Sequence, residues 1–469
     1  MKRYVAIDIM PEAVRTFIGT PTEHGIDMEL IDSFPNRQIS LFGHVYWNMY
    51  VIYVGVIDSL RKIAQRGVEI QSIGIDGFGA DICCFGSDGQ LLSQPLSFLD
   101  IIEDKRQAKI FNRMSEDELY GLTGMPNLSF SSIMLLDAMR CYGSTALSVA
   151  DKLLFMQDAL AYMLTGEMTT GSIVASAGSL LNITTRSLDS EILSRVGLNA
   201  KNLGSFVEAG MSVGFLNHDV QSWTGLGSIP VVSVAGHNVI SAAMSVPSCT
   251  PNQAYIFASK TSAVGMEVDS PQLTMSAMKA KLCNQHSIGG YICLHRFVNG
   301  LGVLDRLRKE WDSNISDEEL FKLAAAADEN QSVIDTDTFE FSQSNTTITQ
   351  VIKQICNYTR QPQPQSFGDY VRCLIISVAT KYAETLSVVS YEAKLDFDEI
   401  HMTGKTSDNP LLCQSLADIS GKTVIGGQEF AAARGNIMIQ AIASGEATCI
   451  DDLKTVERNN KNLVWYKPH

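Results

Sequence analysis

The chain has 469 residues, 45% of them hydrophobic and 19% charged, and carries a formal net charge of −15. A chain of this length exceeds what a single core usually serves, so two domains are expected. The acidic balance argues against nucleic acid and against an anionic membrane as partners.

The N-terminal apolar run is short and broken by Asp8, which reads as a first strand rather than a signal peptide. No stretch reaches membrane-spanning length without charge, and a cytoplasmic protein is expected. The ten cysteines show no CxxC spacing and no paired framework, so they are read as reduced thiols.

Taken in order, Tyr4 to Ile9 reads as a buried strand, with Val14 to Ile18 and Glu29 to Phe34 able to pair back as second and third strands. From Trp47 to Ala64, Tyr53, Val56, Ile57, Leu60 and Ile63 recur at helical spacing and predict an amphipathic helix over the sheet. Ser72 to Phe85 reads as strand, loop and strand, and Ser87-Asp88-Gly89 as a hairpin turn. Val231 to Met244 opens with β-branched residues, breaks at Ala235-Gly236-His237-Asn238 and continues as a small-residue helix. That arrangement sets His237 and Asn238 at the carboxyl end of a strand, where open α/β sheets bind ligands.

A linker is expected at Val246 to Asn252, and a second, extended one at Gln361 to Gln365. Between them, Ile256 to Glu267 contains a polar turn, Ser259-Lys260-Thr261-Ser262. Phe367 to Ser387 predicts a long helix with Val371, Leu374, Ile375, Val378, Tyr382 and Leu386 on one face. Glu399 to Thr403 reads as a strand. Gly404-Lys405-Thr406 after it is only a fragment of a P-loop, because the earlier glycine and its spacing are absent.

These stretches resemble the FGGY family of carbohydrate kinases, and most of all its rhamnulose and fuculose kinase branch. The resemblance runs from about Val5 to Glu446. It implies an α/β protein of two ribonuclease-H-like domains of the actin and hexokinase ATPase type around a central cleft. Residues 1–245 would form the sugar side and 246–469 the nucleotide side. It further implies ATP and Mg²⁺ as cofactors, a small sugar as partner, and a monomer or homodimer. Phe34-Pro35-Asn36 and His44 to Asn48 resemble family segments, and Asp117 to Met125 with Asp151 to Thr165 resemble its helical insert, in which Asp158 is assigned a structural role. Ile75-Asp76-Gly77-Phe78-Gly79-Ala80-Asp81 stands where the pattern reads Ile-Asp-Thr-Trp-Gly-Val-Asp, which makes Gly79 and Asp81, with His237, the candidate sugar contacts. Asp8 and Arg15 match the first phosphate turn, and Asp8 is the candidate metal ligand.

The departures from the family pattern fall together. Its catalytic loop reads Ala-Gly-His-Asp, with the Asp as general base; here Asn238 stands in that place, and an amide cannot take the proton. The first phosphate turn has Met10 where glycine is expected. The second has Ala258-Ser259-Lys260-Thr261-Ser262 where the pattern is Ser-Ser-Gly-Thr-Trp-Ser, so the Gly-Thr dipeptide is gone. The glycines expected against the adenosine become Gly404-Lys405-Thr406, with Asn409 at the start of the next helix. The expectation is a ketose kinase whose phosphoryl transfer is impaired. The alternative is a non-catalytic kinase fold that binds a sugar as a sensor, scaffold or regulator.

Overall fold

The structure is a computed structural model that describes residues 2–79, 81–98, 100, 109–247, 253–311, 314–327, 332–338, 341 and 346–469. Ala80 of the aspartate-glycine loop, and residues 248–252 of the expected linker, lie outside these. The chain divides into two compact units. The first comprises Met1–Cys249, Val268–Leu294 and Ala431–Asn460, and the second Thr250–Glu267, His295–Phe430 and Lys461–His469. Residues 268–294 and 431–460 thus return to the first unit, although they follow position 245 in sequence.

The first unit is built on a six-stranded sheet in the order Ser212–Phe215, Pro230–Val232, Ser72–Asp76, Tyr4–Ile9, Ala13–Thr22, Gly25–Pro35. Tyr4–Ile9 pairs in parallel with Ser72–Asp76 and antiparallel with Ala13–Thr22. Strand residues alternate between faces. Val5, Ile7 and Ile9 pack in one core with Ile52, Val56, Leu60 and Ile63 of the helix Met49–Gln65. Tyr4 turns the other way and its hydroxyl meets Ser444, just past the helix Ala431–Ala443. Asp8 therefore shares the face of that second helix, and so does Asp76, its partner in register.

That helix lies against the helix Asn238–Met244 at very short range: a Cβ on Gly435 would fall 1.8 Å from the Ser241 carbonyl oxygen. Only glycine permits that approach.

In the second unit, Thr261–Val268, Ala254–Phe257, Glu399–Thr403, Thr423–Gln428 and Val464–Tyr466 lie side by side in that order. The helix Phe367–Ala393 buries Val371, Leu374, Ile375, Val378, Tyr382 and Leu386, as its spacing predicts, and continues past Ser387. It is long and apolar enough to cross a membrane, but these buried contacts make it a core helix.

One expected element is corrected. Asp151 to Thr165 is not helical throughout, because Lys152–Phe155 forms a strand antiparallel to Ile82–Phe85 and only Met156–Thr165 is helix. Leu153, Leu154 and Phe155 are each 1% exposed, so this run sits buried on both faces, and burial rather than periodicity decides its form.

Candidate functional site

The carboxyl ends of the first unit's central strands carry two adjacent buried carboxyl groups, Asp8 and Asp76. Asp76 is held from three sides: Ser241 Oγ donates to Oδ1 at 2.9 Å, Asn436 Nδ2 donates to Oδ2 at 2.9 Å, and the Gly236 amide also points at it. Asn436 is itself fixed by Gln440, whose Nε2 donates to Asn436 Oδ1 at 2.6 Å and to the Val5 carbonyl at 3.0 Å. Burial, and then the charge of Asp8, push Asp76 up to about 7. Asp8 is raised to about 6 by burial, with Arg15 across the strand pair acting against the shift. Asp8 Oδ1 has no hydrogen-bond partner among the described residues.

Gly79 and His237 come together beside this pair, and Asp81 follows Gly79 by two residues. Gly79 has φ +88°, and a Cβ there would fall 2.8 Å from His237 Cδ2 and 3.2 Å from Nε2. His237 is 5% exposed, and burial pushes its pKa down to about 4, so the ring is neutral near pH 7. Its Nδ1 donates to Gln285 Oε1 at 3.0 Å, which leaves Nε2, on the Gly79 side, as an acceptor.

Asp81 takes the indole N–H of Trp47 on Oδ2, while its buried Oδ1 has no partner among the described residues. Burial raises Asp81 to about 8, against the Trp47 and Phe98 hydrogen bonds. Trp47, Phe78 and Phe98 form an aromatic cluster with ring centroids 4.9 to 6.3 Å apart. These residues supply a neutral imidazole acceptor, a carboxyl oxygen and an aromatic edge, groups able to meet hydroxyls and an apolar surface.

Asn238 sits at the start of its helix, with its backbone N–H on the Gly77 carbonyl at 2.9 Å and its Nδ2 against Met10 Sδ at 2.9 Å. The turn that carries Met10 is closed on itself: the Met10 N–H donates to the Ala13 carbonyl at 3.0 Å. Pro11 has no N–H, Glu12 brings a carboxylate, and no residue from 10 to 13 takes a positive φ. A phosphate needs unused amides and room for close backbone approach; here the Met10 amide is already committed and Pro11 has none to offer.

In the second unit the turn at Ser259 is likewise occupied by its own bonds. The Ser259 N–H donates to Ser262 Oγ at 3.2 Å and Ser259 Oγ to the Thr261 carbonyl at 2.8 Å, while Lys260 pairs with Asp305 at 3.0 Å. Gly300 donates its N–H to the Lys260 carbonyl. The Met10 and Ser259 amides are therefore already used within their own turns and are not offered to a phosphate.

The loop after Glu399–Thr403 differs. Gly404 keeps φ +91°, with no room for a Cβ against the Ala258 carbonyl, and Asn409 caps the helix Pro410–Ser420. Lys405 is exposed and reaches Asp317 at 3.2 Å. Thr406 Oγ1, Ser407 Oγ and Asn409 Nδ2 are buried without partners among the described residues, so this wall retains unused polar groups that fit a nucleoside. For a cation, the fit rests on the unpartnered Asp8 Oδ1 alone: the described residues contain no group of three or more potential metal-ligating side chains. Mg²⁺ commonly takes only one or two carboxylates, with phosphates completing the shell.

Three contributors were not singled out from the sequence as site residues: Trp47, which holds Asp81; Gln285, which sets the His237 tautomer; and Asn436, which binds Asp76. Each lies far along the chain from the group it serves, and no local spacing marks it. Asp158 accepts the Gly171 N–H at 3.3 Å on Oδ2 and so ties two chain segments together.

The fold is that of the two-domain α/β sugar kinases. It matches the ligand-bound crystal structure of xylulose kinase from Lactobacillus acidophilus with a TM-score of 0.82 at 15% identity, covering 100% of this chain and 94% of that one. Plasmodium falciparum glycerol kinase with ADP matches with a TM-score of 0.77 at 13% identity, covering 100% and 95%.

Residues 29–244 match the N-terminal domain model of the FGGY family of carbohydrate kinases, and residues 269–444 match its C-terminal domain model. The chain is 37% identical over 467 residues to a rhamnulokinase of Bacteroides thetaiotaomicron, covering 100% of this chain and 96% of that protein. It is 27% identical over 466 residues to a rhamnulokinase of Bacillus subtilis, covering 99% and 95%. The chain belongs to the FGGY family of carbohydrate kinases, a family that in general uses ATP and Mg²⁺.

Proposed function

We propose that this chain binds a ketose such as rhamnulose or fuculose through Gly79, Asp81 and His237, and that its phosphoryl transfer is strongly impaired. The observation that carries the proposal is Asn238. Its side chain has no titratable lone pair, and its amide packs on Met10 Sδ at 2.9 Å. A missing general base costs roughly 10²–10⁴-fold in rate.

The closed turns at Met10 and Ser259 support a second loss, in positioning the donor, on which phosphoryl transfer mainly depends. The unpartnered Asp81 Oδ1 and the acceptor Nε2 of His237 support retention of the sugar side. A buried polar atom left open, as Asp81 Oδ1 is, is costly unless a ligand completes it. The rhamnulokinases among the relatives support a 6-deoxyketose, whose methyl group suits the Phe78 edge.

A second reading is favoured by the same contrast between an open sugar side and closed phosphate turns. In it, the chain is a non-catalytic sugar-binding protein acting as a sensor, scaffold or regulator. Calorimetry on the full chain separates the cases. Ketose heat with little or no ATP·Mg²⁺ heat is the expected result. Tight ATP·Mg²⁺ binding would argue for a working donor site, and no ketose heat would remove the sugar reading.

A further inference from the structure

Gln157 lies in the first turn of the helix Met156–Thr165, is 3% exposed, and its Nε2 has no hydrogen-bond partner among the described residues. Its carboxamide spans the place where two loops meet. A Cβ on Gly77 would fall 3.0 Å from Gln157 Oε1, and one on Gly236 would fall 3.7 Å from Nε2. Those glycines are joined by the Gly77 N–H on the Gly236 carbonyl at 3.2 Å; Gly77 directly follows Asp76, and Gly236 directly precedes His237. Asp81 is close by, since its carbonyl accepts the Met156 N–H at 3.2 Å and Ile82 pairs with Phe155. Two buried polar atoms are thus without partners among the described residues, a donor on Gln157 against the loops that hold His237 and an oxygen on Asp81 of the segment paired with Met156.

We propose that Gln157 is a specificity-determining residue whose carboxamide Nε2 donates to a ketose hydroxyl while Asp81 and His237 engage neighbouring ones. The inference rests on the ketose-binding reading and adds a residue to it. Gly77 is what makes the space. The pattern to which this loop belongs has Thr at that position, and any side chain there would press on the Gln157 oxygen at 3.0 Å or less. The hydroxyl lost at 77 is replaced by an amide reaching in from another element. A site that hydrogen-bonds a substrate hydroxyl discriminates strongly against an analogue that presents it differently.

The test is calorimetry of the full chain with L-rhamnulose and with L-fuculose, which are epimers at C4, alongside thermal unfolding. Gln157→Leu removes the donor at similar volume. Expected are a loss of about tenfold or more in affinity for the preferred ketose, a narrowed ratio between the epimers, and an unfolding midpoint unchanged or raised. A structural glutamine would lower the midpoint and leave the ratio alone. Gln157→Glu, nearly isosteric, should lose affinity as well, and it serves if the Leu variant does not fold. Gly77→Thr combined with Gln157→Ala should recover part of the affinity.

Wild-type affinity and an unchanged epimer ratio in Gln157→Leu would overturn the inference while leaving ketose binding intact. That outcome would assign Nε2 to a water. If wild type binds neither ketose, the functional reading falls and this inference falls with it.

Discussion

Replacing Gly79 with Ala tests the geometry of the sugar side directly. The residue has φ +88°, outside the range ordinary side chains adopt, and the added Cβ would lie 2.8 Å from His237 Cδ2. Backbone strain of this kind costs roughly 1–3 kcal/mol. His237 cannot swing clear cheaply, because it is 5% exposed and its Nδ1 is tied to Gln285 at 3.0 Å. Giving up that bond adds about 1 kcal/mol, so the total is about 2–4 kcal/mol, with the imidazole displaced.

Gly77→Ala is the control. Gly77 does not take a positive φ, and the atoms nearest its Cβ would be those of Gln157, with Oε1 at 3.0 Å and the others at ordinary contact. Its cost should stay below about 1 kcal/mol, within the range of an ordinary small substitution. Because the chain has two units, hydrogen exchange over residues 72–86 is a better assay than a single unfolding midpoint. Gly79→Ala should speed exchange there by about 30-fold or more and weaken ketose binding, while Gly77→Ala should change exchange little. Equal protection in wild type and Gly79→Ala, with equal ketose affinity, would refute the placement of His237 against Gly79.

Stability should fall as pH rises from about 6.5 to 8. Asp76 and Asp158 are raised to about 7 and Asp81 to about 8, all chiefly by burial, from an ordinary 3.8. The folded state holds protons that the unfolded chain has already lost, so this stability is present at lower pH and disappears as pH passes the folded values. His237, depressed to about 4 from 6.5, runs the other way but has finished its contribution by about pH 6.5. Asp158→Asn can still accept from Gly171 and should flatten the fall; thermal unfolding across this window would show it. Asn436→Leu deprives the buried Asp76 carboxyl of the Nδ2 donor at 2.9 Å and should cost about 1–3 kcal/mol in denaturant unfolding.

Much of the framework was legible because periodicity and residue type agreed. Tyr4–Ile9 and Glu399–Thr403 have the bounds their sequence suggests, and the helix Met49–Gln65 follows its apolar spacing. The run Lys152–Phe155 was not, since a short apolar stretch before a helix carries no period that separates strand from helix. At the site, glycines and the Asn238 substitution announce themselves, because backbone conformation and protonation are properties of single residues.

The contributions of Trp47, Gln285, Gln157 and Asn436 do not, because each depends on which distant group the fold brings opposite. The His44 to Asn48 segment shows how such roles are divided. His44 Nδ1 and the Val45 N–H both bond Asp100, Trp47 bonds Asp81, and Asn48 caps the helix that follows.

The central claim is that the donor side, and not the base alone, limits this chain. Coupled ADP release from ATP·Mg²⁺ with a panel of ketoses, comparing wild type, Asn238→Asp and a combined variant, tests it most directly. The combined variant adds Met10→Gly, Ser259→Gly and Lys260→Thr to Asn238→Asp. The account predicts no appreciable sugar-dependent turnover from wild type. It also predicts that Asn238→Asp alone will fail to recover the two to four orders that a general base supplies, and that turnover will appear only when the turns are restored with it. Robust sugar-dependent turnover from wild type, or from Asn238→Asp alone, would contradict it.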